Sequence, residues 1–77
     1  KGYTMREVQA QELEIGDIII AEGRKLKVAG IQQSHHNKGA LLFSFRDDAR
    51  HSEHLSSRSK IETFELLHDA GMWKATR

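Results

Sequence analysis

Five histidines and a set of basic side chains grouped near turns are the residues of this 77-residue chain whose chemistry a function could use. His35 and His36 are adjacent, and His51 and His54 bracket Ser52-Glu53. With no cysteine in the chain, zinc would need three or more histidine or carboxylate ligands aimed at one point. Residues three apart on a strand face opposite ways, so His51 and His54 share a metal only in a turn or helix. His36 with His51 across a sheet, near Asp47, Asp48 and Glu53, is the other arrangement. Both need a coincidence of geometry, and the expectation is exposed loop histidines with no metal and no cofactor. Loop histidines also titrate near neutral pH, which leaves a pH response open.

The basic candidates are Arg24, Lys25, Lys27, Lys38, Arg46, Arg50, Arg58 and Lys60. Gathered on one surface, they would meet the phosphates of RNA or DNA. Twelve basic against eleven acidic residues leave a formal net charge of +1, so any polyanion must be held by a local patch. Aromatic side chains for base stacking are few: Tyr3, Trp73 and three phenylalanines. Tyr3 and Trp73 lie near the two ends of the chain. If the ends meet, they form a small patch for a protein partner; alternatively Trp73 covers the mouth of a barrel.

Catalysis is not expected. Asp47 and Asp48 are neighbours and would point to opposite faces of a strand. Ser56, Ser57 and Ser59 sit in no nucleophile elbow, and no glycine-rich phosphate loop occurs. No small-molecule substrate is expected, and no membrane partner either, because no apolar run approaches the ~18 residues of a span.

These residues must be positioned by short strands. The chain has no proline, so glycines and polar clusters mark its turns. Ile18–Ala21 between Gly16 and Gly23 reads as a strand. Lys25–Gln33 alternates, with a phase slip at Gly30 that predicts a bulge or tight bend. His35–Gly39 is a turn, and Ala40–Arg46 a strand with Leu41, Phe43 and Phe45 on one face. Arg50–Leu55 pairs back as a short hairpin partner, and Ser56–Ser59 forms a helical turn. Ile61–His68 is a strand, Asp69–Gly71 a tight turn and Met72–Thr76 a short final strand. A helix over Lys60–Trp73 competes, because Ser59 and Glu62 fit a capping box. Lys1–Thr4 reads as a vector-derived or disordered leader, with Met5 as a natural start.

The order of features resembles the SH3-like (KOW-like) barrel that forms the first domain of bacterial elongation factor P and its eukaryotic counterpart. Leu13, Gly16, Ile18, Gly23, Val28, Lys38 and Gly39 carry the resemblance at the family's spacing. Phe43 and Phe45 continue the third strand, so it covers about residues 13–45. His36-Asn37 stands where the family's loop has a proline. The resemblance implies a barrel, and makes Lys38 the loop lysine that the family extends by modification toward the ribosome.

The sequence therefore predicts one all-β domain over residues 1–77. It should be a five-stranded antiparallel SH3-like barrel with a short extra C-terminal strand or helical turn. At this length only about 60% of the unfolded surface is buried. The core is expected from Val8, Leu13, Ile18, Ile20, Leu26, Val28, Ile31, Leu41, Phe43, Ile61, Phe64 and Leu66. The expected function is a cytoplasmic, non-catalytic binding module, with nucleic acid or ribonucleoprotein first and a protein partner as the alternative.

Overall fold

A computed structural model describes residues 4–47 and 61–76. Its elements are β1 (Thr4–Gln9), a 3-10 turn (Ala10–Glu12), β2 (Ile18–Ala21), β3 (Arg24–Gln33), β4 (Ala40–Asp47), β5 (Ile61–Leu67) and β6 (Gly71–Thr76). The six strands form one antiparallel sheet in the order β1-β6-β2-β3-β4-β5. The fold is all-β and barrel-like, as the sequence predicts. Its six strands agree with five plus a short extra C-terminal one, but the sheet is not closed: among the described residues β1 and β5 remain its two edges. Thr4, grouped with the leader by its sequence, is the first residue of β1 and lies opposite Thr76. The hairpin partner expected at Arg50–Leu55 and the helical turn at Ser56–Ser59 lie outside the described residues.

Local chemistry explains the connections. Ala21 lies opposite Arg24, so Glu22 and Gly23 alone turn β2 into β3. Both have positive φ, at 52° and 75°, the signature of a type I′ hairpin turn. The register of β3 against β4 shifts between Val28 and Gly30. This is the bulge expected at Gly30, and it returns Ile31 to the core side opposite Phe43.

The strands flanking His68–Ala70 do not pair with each other. β5 pairs with β4, whereas β6 inserts between β1 and β2. Backbone hydrogen bonds stitch this crossover to its neighbours. Ala10 N–H donates to the Ala70 carbonyl at 2.8 Å, Gln11 N–H to His68 at 2.9 Å and His68 N–H to Gly39 at 3.1 Å. The helix reading of the C-terminal segment gives way to two strands, because Ile61, Thr63 and Phe64 suit a pleated surface and β4 supplies the ladder.

The concave face holds a core of Val8, Ala10, Leu13, Ile19, Leu26, Val28, Phe43 and Phe45. Phe43 and Phe45 stack at 5.8 Å, and Phe64 tilts against Phe45 at 5.9 Å. Four expected core residues are placed differently. Ile18 and Ile20 face outward and are half-buried, because Ile19 is the residue opposite Leu26. Ile61 is 49% and Phe64 43% exposed, since nothing described pairs with the outer side of β5.

Candidate functional site

Residues directly opposite one another on antiparallel strands share a face. One row of the convex face therefore runs across all six strands: Met5, Ala75, Ile18, Lys27, Arg46 and Ile61. A second row runs Glu7, Trp73, Ile20 and Lys25. Together they make a surface with two halves. The β1, β6 and β2 half is apolar apart from the exposed Glu7, with Trp73 48% and Met5 44% exposed beside the half-buried Ile18 and Ile20. The β3 and β4 half carries exposed Lys25, Lys27 and Arg46.

Lys27 and Arg46 are direct partners across the β3–β4 ladder. Like charges in that relationship repel. Among the described residues neither forms an ion pair. The sheet thus holds two cations side by side on the face that carries the exposed Trp73, with strand β2 between them and the indole.

The other predicted basic residues are placed elsewhere. Arg24 shares the concave side with Leu26, and its guanidinium is held by Glu62 at 2.7 Å and Asp47 at 3.2 Å. These hydrogen bonds, Glu62 first and Asp47 second, push the guanidinium further into its charged range. Lys38 is exposed in the β3–β4 turn, at the opposite end of that hairpin from Lys25. Arg50, Arg58 and Lys60 lie outside the described residues, as does Tyr3. The structure brings together Lys25, Lys27, Arg46 and Trp73, and separates Arg24 and Lys38 from them. Trp73 covers no barrel mouth; it stands on the convex face opposite Ile20.

Sequence reasoning missed Met5, Ile18 and Ile20 as surface residues. A run of three isoleucines fits two phases, and placing two of them inside looks better than placing one. The available signal was Ala21, which shares a face with Ile19 and packs against the core.

A cleft of about 280 Å³ opens on the concave side, lined mainly by Ile19, Leu26, Phe45, Phe64, Leu66 and Met72, with Arg24 and Glu22 at its rim. His35 and His36 are exposed in the β3–β4 turn, and among the described residues no three ligating side chains converge on a metal position. His51 and His54 lie outside the described residues. No described helix is long and apolar enough to cross a membrane.

No protein-family model, curated protein or solved structure matches this chain.

Proposed function

We propose that this chain is a non-catalytic binding module that docks a protein partner on the convex face of its sheet, taking an acidic, apolar segment. The observation that carries this reading is the position of Trp73. Large apolar side chains exposed in a group, rimmed by polar ones, mark interaction surfaces. Tryptophan is among the residues that contribute most to such contacts. Lys25, Lys27 and Arg46 flank the apolar half on one side, so complementarity favours a partner with carboxylates next to aliphatic side chains.

A second reading, RNA or DNA binding, is supported by Lys27 and Arg46, which form no ion pair among the described residues, on the face whose indole could stack on a base. It ranks lower. Arg24 faces the other way into two carboxylates, Lys38 is remote, and the direct neighbours of Trp73 across the ladders are the aliphatic Ile20 and the carboxylate of Glu7. The resemblance to the elongation factor P barrel supports the second reading through Lys38, and a reducing cytoplasm suits a cysteine-free chain under either.

Trp73 is the only tryptophan, so its emission reports directly on this face. Acidic amphipathic peptides, their scrambled versions, and single-stranded RNA and DNA are titrated in parallel. The expected result is a saturable emission change with the acidic amphipathic peptides, abolished by Lys27→Glu with Arg46→Glu. A response to oligonucleotides alone, with a steep salt dependence, would establish the second reading instead. No response to either removes the convex face as the site.

A further inference from the structure

We propose that β5 is a self-association edge, and that two copies of this chain pair antiparallel through it to form one continuous sheet. An exposed edge strand is a template for another strand, and proteins blunt such edges with lysine, proline, bulges or inward charges. Residues Ile61–Leu67 contain neither lysine nor proline. Their two charges are turned onto their own chain: Glu62 holds Arg24, and Glu65 accepts the hydroxyl proton of Ser34. Beside the exposed Thr63 and Glu65, the strand leaves three large apolar side chains exposed, Ile61 at 49%, Phe64 at 43% and Leu67 at 53%. The opposite edge, β1, differs. It carries exposed Arg6 and Glu7 among its six residues.

The occupant is a second copy because the strand complements itself. In an antiparallel pairing centred on Phe64, Phe64 meets Phe64 of the second copy and Ile61 meets its Leu67. Glu62 then faces Leu66, and Glu65 faces Thr63. Ile61, Phe64 and Leu67 thus meet apolar partners, and no two carboxylates stand directly opposite. Moving the register by one residue in one direction places Glu62 opposite Glu65, a repulsive pair, and in the other places Glu65 opposite Phe64 and Glu62 opposite Leu67; either shift turns the concave faces of the two copies to opposite sides. The pattern therefore selects one register. Phe64 and Leu66 also line the concave cleft, so the pairing sets the second phenylalanine at its mouth. A seven-residue edge buries less than the roughly 1,200 Å² of a stable interface, which makes the association concentration-dependent.

The test is sedimentation equilibrium of the full chain from micromolar to millimolar concentration. The expected mass rises from 8.8 kDa toward twice that value. Ile61→Glu and Leu67→Lys change exposed side chains and are each expected to weaken association at least tenfold. Combined in one chain they are expected to restore it, because position 61 faces position 67 of the other copy. Phe64→Lys sets two cations opposite each other and is expected to give a monomer. Its fold is checked by circular dichroism, since Phe64 packs on Phe45, and if it unfolds the other two variants decide. A wild-type monomer at every concentration overturns the proposal. So does association that survives the single variants, that the double variant fails to restore, or that is lost in Trp73→Ala instead.

Discussion

Arg24 Nη2 lies 2.7 Å from Glu62 Oε2, which ties the first residue of β3 to the edge strand β5 across the end of β4. Asp47 completes the arrangement at 3.2 Å. Sequence separation hides this triad, because Glu62 is 38 residues from Arg24. The ladder brings them together: Leu26 faces Asp47, and Phe45 faces Glu62. Arg24→Met should lower the melting temperature, because it removes the guanidinium that Glu62 and Asp47 share. Backbone amide exchange should accelerate in β5 before β1. The deficit should shrink in added salt, because the pair is partly exposed and screened. The pH dependence also has a definite sign. A guanidinium whose folded-state pKa is raised contributes its full stabilisation below the ordinary arginine range, and loses it only as the pH rises through that range. The deficit should therefore stay constant across neutral pH. Melting scans at several pH values and salt concentrations, with exchange by mass spectrometry, measure all of this.

Phe43 is fully buried at the centre of β4, stacked on Phe45 and opposite Phe64. Phe43→Ala should cost about 3–5 kcal/mol, since the neighbouring ring positions are set by the ladder and cannot collapse into the gap. That is a large part of the stability of a small domain. The change in denaturation midpoint measures it. By contrast, Ile18→Ala should cost well under half as much, because Ile18 faces outward.

Much of the fold was legible in the sequence because it rests on local rules. The turn at Glu22-Gly23, the bulge at Gly30, the His35–Gly39 turn and the faces of β3 and β4 all follow from residue type and period. The errors lie where the period is silent. Ile18-Ile19-Ile20 fits either phase, and only the pairing of Ile19 with Leu26 chooses. Thr4–Gln9 buries a single residue, Val8, and so gives almost no strand signal until β6 pairs with it. The exposure of Ile61 and Phe64 depends on the sheet staying open, a long-range property no window contains. The candidate site was half legible. Lys25, Lys27, Arg46 and Trp73 were singled out by type, but that Arg24 turns away and that Ile18 and Ile20 join the surface depends on register.

Glu22 occupies the left-handed region at φ 52°, where a residue with a Cβ is strained by roughly 1–2 kcal/mol. Asparagine tolerates that region, and Asn-Gly is the preferred pair for a two-residue type I′ turn. Glu22→Asn should therefore stabilise the domain by about 0.5–1 kcal/mol. At the usual scaling for a chain of this size, that raises the melting temperature by about 2–8 °C. Gly23→Ala, with φ at 75° and open space around the added Cβ, should destabilise through backbone strain alone. Calorimetry on the two variants checks both signs.

Ser34 is the one described polar residue among the buried set, at 4% exposure. Its hydroxyl donates to the Glu65 carboxylate on β5 and accepts from the backbone N–H groups of His36 at 3.3 Å and Asn37 at 3.2 Å. One oxygen thus shapes the turn that presents His35, His36 and Lys38, and ties that turn to the edge strand. Ser34→Ala removes the donor to a carboxylate and leaves two turn amides without their acceptor. A buried network broken on one side costs about 1–3 kcal/mol. The effect should be local as well as global. Amide exchange at His36 and Asn37 should accelerate far more than at Lys25 or Lys27, which are held by the β2–β3 ladder. Ser34→Thr, which keeps the hydroxyl, should recover most of the protection at those two amides even where its extra methyl lowers the melting temperature. Equal exchange in wild type and Ser34→Ala would show that backbone bonds alone hold the turn.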